Sequence, residues 1–252
     1  MAKRTRIRPY RGNESGYRVI HDGERHLVVD KGPGLLVQRA QGAPDPCLLD
    51  LLGAEWGFVH SVHRLDRDVS GLMVFARDKA AAEQLRRQFR ARTAERRYLA
   101  AVHGRPAAEQ GRLEHHLAQN TGNYRMYAVP PGKGKQAVLH WFVVEGHADS
   151  ALLEVVLETG VKNQIRVQLA LAGHPLQGEQ KYTGESSRQM DRIFLHAALL
   201  SFDAPGSGDR EEWSSPLPRD LLRWRERLRE GRSSKPPAGP SPRRPGRPRR
   251  RR

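Results

Sequence analysis

The stretch Val62-His63-Arg64-Leu65-Asp66-Arg67-Asp68-Val69-Ser70-Gly71-Leu72 sets five ionisable side chains between an apolar start and a run, 72–76, that reads as a buried strand. Alternating surface charge is the common meaning of such a pattern. The other meaning is a loop that carries chemistry. In that case Asp66 has Arg64 and Arg67 beside it in sequence, and neighbouring cations keep a carboxylate ionised, as a nucleophile requires.

Outward from this loop, short apolar runs alternate with polar turns and no internal repeat is found. Stretches rich in Val, Ile, Leu and aromatics mark strands at 17–20, 26–30, 72–76, 97–103, 137–145, 151–158 and 193–202. Asp78 is placed to cap a helix over 79–92, with Leu85 and Phe89 on its inner face. A second helix is expected over 162–172, where Val161, Ile165 and Leu169 repeat every fourth residue and Gly173 supplies the stop. A third is expected over 217–229. Many strands and few helices make an α+β chain, and one catalytic domain over 17–230 is the economical division.

The chain carries 44 Lys and Arg against 28 Asp and Glu, a net charge of +16, and nucleic acid is the default partner for such an excess. Most of it sits in the tails. Nine basic residues and no acidic one fall in 231–252, residues 1–16 add +4, and 17–230 holds only +3. Proline, glycine and like charge keep the last segment from burying apolar surface, so a disordered basic tail is expected there and a basic arm over 1–16. Such tails raise affinity for any polyanion through counterion release.

No apolar run approaches a membrane span, and the first residues lack the apolar centre of a signal peptide, so a cytoplasmic protein without a membrane partner is expected. With Cys47 the single cysteine, neither a disulfide nor a cysteine-based zinc cage can form, which also sets aside the zinc-dependent nucleobase deaminases. The pairs His60/His63 and His115/His116 lack the helical spacing and carboxylate partner of a hydrolytic metal site. There is no Gly-x-Gly-x-x-Gly loop, and Gly132-Lys133-Gly134-Lys135 lacks the upstream glycine of a phosphate-binding loop.

Three further residues draw notice. Lys162 and Arg166, four apart, share a helix face where like charges repel unless an anion stands opposite; Asp66 and an RNA phosphate are both candidates, and exposure to water is the plainer account. Tyr98, on a strand between small residues, is either a core tyrosine or a flat surface on which a base stacks.

Taken together these segments resemble a known family. His63-Arg64-Leu65-Asp66 with Ser70-Gly71-Leu72 resembles the HRLDxxTSGL signature of the RluA-type pseudouridine synthases. Lys31-Gly32-Pro33-Gly34-Leu35-Leu36-Val37 is similar to that family's KPxGLLV, and Arg96-Arg97-Tyr98-Leu99-Ala100 to its KxYLA. Residues 158–167 resemble ETGRKHQIRVH, Gly173-His174-Pro175-Leu176-Gln177-Gly178 resembles GHPIxGD, and Leu195-His196-Ala197 with Ser215-Pro216-Leu217-Pro218 is similar to the closing LHA and SPLP elements. Order and spacing agree over about residues 17–222. Val69 departs from the family's threonine, Val161 and Asn163 from its arginine and histidine, and Gly32 displaces its proline, which bears on substrate choice more than on catalysis.

The resemblance implies a pseudouridine synthase fold, a mixed and mostly antiparallel central sheet with helices and loops around one active-site cleft. It implies that Asp66 is the nucleophile attacking an everted uridine, that Arg166 pairs with it, and that Tyr98 stacks on the uracil. Arg64 would fill the gap left by the base, with His63, Arg67, Lys162 and Gln164 also meeting RNA. It implies a monomer that needs neither metal nor organic cofactor and acts on rRNA, the large-subunit RNA favoured, or on tRNA. The competing class is a catalytically silent RNA-binding or assembly protein with the same fold.

Overall fold

The computed structural model describes residues 16–39, 46–183 and 190–231. The expected basic arm up to residue 15 and the basic tail from residue 232 lie outside the described residues. Eleven strands form one sheet: β1 (Tyr17–Asp22), β2 (His26–Lys31), β3 (His60–Ser61), β4 (Ser70–Ala76), β5 (Glu95–His103), β6 (Gln110–Gln119), β7 (Met126–Val129), β8 (Lys135–Gly146), β9 (Ser150–Leu157), β10 (Leu195–Asp203) and β11 (Arg210–Ser214). Their order is β1-β2-β4-β10-β5-β9-β8-β6-β7, with β3 against β4 and β11 against β10. Only β4 and β10 run parallel; the other pairings are antiparallel.

Among the described residues four helices cover the sheet: α1 (Leu48–Trp56), α2 (Lys79–Ala91), α3 (Gln164–Leu171) and α4 (Arg219–Arg229). On one face Leu48 and Leu52 of α1 and Ile165 and Leu169 of α3 pack with Leu27, Val29, Met73, Phe75, Tyr98 and Val155. On the other face α2 lays Ala81, Ala82 and Leu85 on Val28, Leu72, Val74 and Ala76, and α4 lays Leu221, Trp224 and Leu228 on Ala101, Leu152 and Phe194. Burial on both faces explains why residues 27–29 of β2 and 72–76 of β4 read as unbroken apolar runs rather than alternating ones. No helix of the described residues is long and apolar enough to cross a membrane.

The expected α2 forms as read, with Asp78 accepting from the Ala81 amide at 2.7 Å. The second helix is shorter than expected. It begins at Gln164 after Asn163, which holds a left-handed φ of 53°, a conformation asparagine tolerates better than most side chains. Lys162 therefore precedes the helix, and the like-charged face inferred for Lys162 and Arg166 does not exist.

Two features place the loop that carries Asp66. Lys31 is fully buried, and its ammonium donates to the carbonyls of Gly32 (2.8 Å), Leu35 (3.0 Å) and Arg67 (3.0 Å), tying the turn after β2 to the loop before β4. Burial brings Lys31 down to about 7. At the other end Gly71 has a φ of 116°, and a Cβ there would stand 2.2 Å from the Ala197 carbonyl oxygen of β10. The parallel crossing of β4 and β10 thus requires a residue without a side chain. Gly71→Ala is expected to cost more than about 2 kcal/mol through overlap and backbone strain, read as a lowered urea midpoint; an unchanged midpoint would remove this constraint.

Candidate active site

β4 is flanked on one edge by β2 and on the other by β10 at Ser70 and Gly71 and by β3 at Phe75 and Ala76. Between those two short pairings the Val74 amide donates to His63 Nε2 at 3.1 Å. The ring packs 4.7 Å from that of Phe89. Burial, with Arg96 nearby, pushes His63 down to about 3. His63 is therefore a neutral ladder cap that also lines the cleft.

The pH dependence follows. In the unfolded chain His63 takes a proton near its usual 6.5, whereas the folded site refuses it until about 3. Protonation thus favours unfolding, so this group lowers stability as pH falls from about 6.5 toward 3 and adds no slope above that range. A His63→Gln variant keeps an acceptor for Val74 and is expected to lose less stability between pH 7 and 4.5 than the parent in urea titrations. An equal loss would exclude His63 as the cause.

Helix α3 is stitched to the sheet by two glutamines four residues apart. Gln164 Nε2 donates to the Val138 carbonyl at 3.0 Å, and Gln168 Nε2 donates to those of Ala137 (3.0 Å) and Leu113 (3.2 Å). Gln164 Oε1 also accepts from Thr159 Oγ1 (2.8 Å) and the Val161 amide (3.0 Å). These bonds commit Gln164 to the fold, and it also lines the cleft. Arg166, two residues from each glutamine, is turned about 200° away from them and projects into the cleft.

There the guanidinium joins two carboxylates far away in sequence. Arg166 Nη1 donates to Asp66 Oδ2 at 3.2 Å, while Nε and Nη2 grip both oxygens of Glu179 at 2.8 and 2.9 Å. The Glu179 side chain is fully buried, whereas that of Asp66 keeps 21% of its surface exposed. Burial alone would lower the pKa of Arg166, but Glu179 and Asp66 outweigh it and raise it above the ordinary arginine value. Glu179 anchors the cation; Asp66 faces the space where a substrate enters.

Asn163 completes the cage. With its amide oriented so that both ends find partners, the nitrogen donates to both Asp66 oxygens, at 3.0 and 2.8 Å, and the oxygen accepts from Tyr182 Oη at 2.8 Å and Lys181 Nζ at 3.3 Å. Tyr182 Oη in turn accepts from the Met126 amide at 3.3 Å, and its ring centre lies 5.7 Å from the Arg166 guanidinium carbon. Burial, then Arg166 and Lys162, lowers the pKa of Lys181.

A cleft of about 360 Å³ opens over this cage, walled by Leu65, Asp66, Phe89, Arg96, Tyr98, Asn163, Leu195 and Arg166. Tyr98 is buried on β5, and burial raises its pKa. Tyr98 belongs to the core and also lines the cleft. Arg64, Arg90 and Lys162 stand exposed on the lining. Arg67 is outside it, with Nε donating to the Gly34 carbonyl at 3.0 Å. Sequence reasoning brought together Asp66, Tyr98 and Arg166 and missed Glu179, Asn163, Tyr182 and Arg96. The departure at Asn163 and the acid after Gly178 were the available signals.

A separate grouping that sequence reasoning also missed joins His21, His26 and Glu211, whose ligand atoms lie within 4.8 Å of one another. Glu211 meets the rings of His26 at 2.9 Å and Trp213 at 3.1 Å, and His21 stacks against both rings. Packing of the sheet edge accounts for it.

The architecture is that of the pseudouridylate synthases. A solved human structure, RNA Pseudouridylate Synthase Domain Containing 4, superposes with a TM-score of 0.70 at 25% identity, covering 84% of this chain and 92% of that one. The family model for RNA pseudouridylate synthase matches residues 25–171. Uncharacterized RNA pseudouridine synthase YlyB of Bacillus subtilis is 33% identical over 221 residues, 84% of this chain and 73% of that protein. Ribosomal large subunit pseudouridine synthase D of Pseudomonas aeruginosa is 34% identical over 235 residues, 86% of this chain and 73% of that protein. The chain belongs to the RNA pseudouridylate synthase family and is an isomerase that takes RNA as its substrate.

Proposed function

We propose that this enzyme converts uridine to pseudouridine in rRNA, the large-subunit RNA first, with Asp66 as nucleophile. The observation that carries the reading is the Asp66 carboxylate, held by Arg166 and Asn163 at the edge of a cleft walled by Tyr98. An everted nucleotide enters with its ribose over Asp66 and its uracil against Tyr98, and C1′ comes within reach of the carboxylate. Arg166 and Asn163 orient the carboxylate. Arg64 and Lys162, both exposed on the cleft lining, contact the RNA backbone or fill the space vacated by the base. Asp66 bonds to C1′ as the C1′–N1 bond breaks; the freed uracil turns, C5 bonds to C1′ as Asp66 is released, and the C5 proton passes to N1, a rearrangement that balances without a co-reactant. Residues 17–230 form the catalytic domain and act as a monomer.

The rRNA preference draws on the large-subunit name of the Pseudomonas relative. The test is incubation of the purified chain with rRNA and tRNA transcripts, followed by carbodiimide labelling and reverse transcription. New stops at one or a few uridines of large-subunit rRNA are expected. Stops confined to tRNA would overturn the target, and none in either RNA would overturn the activity.

A further inference from the structure

Arg96 is a buried cation to which the arrangement described so far assigns no use. It precedes Tyr98 by two residues on β5 and so shares its face. Only 8% of the residue is exposed, and its Nε is buried without a hydrogen-bond partner. Among the described residues no carboxylate pairs with it. The guanidinium carbon stands 5.3 Å from the Phe89 ring centre, and Nη1 hangs over Gly160, where a Cβ would approach to 2.9 Å. A residue with a side chain at 160 would crowd it.

Every comparison within the cleft sharpens the anomaly. Arg166, equally interior, has two carboxylates. Arg64 and Lys162 are exposed, where water solvates the charge, and exposed Arg90 pairs with Glu83. Arg192, the other buried arginine, is paired with Asp220 at 2.6 Å. A buried, unpaired guanidinium is destabilising, and features that cost stability gather where function requires them. The missing counter-charge therefore arrives with the substrate.

RNA brings one permanent anion per nucleotide, the phosphate, and the exposed cations at the rim suit it. The rearrangement creates a second anion deeper in. When C1′–N1 breaks, the bonding pair stays on N1 and the charge spreads to O2 and O4 of the freed uracil. It is discharged when C5 bonds to C1′ and the C5 proton is transferred to N1. We propose that Arg96 donates hydrogen bonds to an oxygen of this transient uracil anion, stabilising it between cleavage and rejoining at the Tyr98 wall. Arg96 is then a catalytic residue whose contact strengthens as charge develops, the condition for raising kcat rather than affinity.

This inference rests on the pseudouridine synthase reading. Its test uses the full chain and a short RNA hairpin containing the uridine mapped by carbodiimide labelling. Turnover, RNA affinity at several salt concentrations and melting temperature are measured for the parent, Arg96→Met and Arg96→Lys. Arg96→Met is expected to lower kcat by about 10²- to 10³-fold, the loss typical of one missing oxyanion donor. Its affinity and salt slope should match the parent's, and its melting temperature should equal or exceed it. Arg96→Lys, which keeps a charged donor, should recover most of the rate.

A salt slope reduced by about one with kcat intact would mean that Arg96 holds a phosphate, and the proposal would fall. So would it if Arg96→Met melted lower yet turned over normally, since that marks a packing role. An active parent with equally active variants overturns this inference alone. A parent without product on rRNA or tRNA overturns the reading beneath it as well.

Discussion

Asp66→Asn is expected to leave a folded, RNA-binding protein whose pseudouridine yield falls at least about 10⁴-fold, as removal of a nucleophile does in other covalent mechanisms. The substitution preserves shape but not charge. The new amide oxygen accepts from Arg166 Nη1 and Asn163, at the position where Asp66 Oδ2 stands 3.2 and 2.8 Å from them. The amide nitrogen then faces Asn163 Nδ2, a donor against a donor, costing about 1 kcal/mol. Arg166 keeps both contacts to Glu179, so no buried charge is stranded. In a domain of this size that is a melting shift of roughly 2–4 °C. Carbodiimide mapping beside a filter-binding assay separates the two effects. Substantial product from the variant would exclude Asp66 as the nucleophile, and lost binding with a normal melting curve would recast it as a recognition residue.

The largest stability effect is expected at Glu179. Its side chain is fully buried, and its oxygens accept from Arg166 Nε, Arg166 Nη2 and the Lys181 amide. In Glu179→Gln one of those positions becomes an NH₂ facing another donor, and the arginine retains only the partly exposed Asp66. Breaking one side of a buried pair costs about 3–5 kcal/mol, a melting temperature lowered by roughly 10 °C. The rate should fall as well, because Arg166 loses the anchor that aims it at Asp66, while KM for RNA changes little. Glu179→Asp keeps the charge at a shorter reach and should fall between. An unchanged melting temperature in Glu179→Gln would show that the anchor lies elsewhere.

These effects could be located only in part from the chain itself. Continuous apolar runs at β2 and β4, the capping Asp78 and the stop at Gly173 are local signals, and each produced its element. Strands β3, β6, β7 and β11 went unread. β6 is QGRLEHHLAQ, largely polar, and lies toward an edge of the sheet, where Arg112 and Glu114 pair side by side in solvent. Its existence is decided by the register it keeps with β8, a long-range pairing that leaves little periodicity behind. Helix α1 was missed for a different reason: nine residues with Asp50 capping back onto the Cys47 amide hold a helix only because Leu48 and Leu52 have a core to enter.

The same division runs through the active site. The sequence by itself determined which side chains are chemically competent, since the spacing around Asp66, Tyr98 and Arg166 matches a long family pattern over most of the chain. It also carried the left-handed asparagine and the acid after Gly178, without stating what either touches. Only the tertiary structure decided that Glu179, not a second substrate group, anchors Arg166, that His63 and Gln164 are bonded to the backbone, and that Arg96 is buried without a carboxylate. Identity is a local property, but the energy of a charge depends on distance to its partners and on exclusion of water. Both are settled only when residues a hundred positions apart, such as Asp66 and Arg166, are folded against each other.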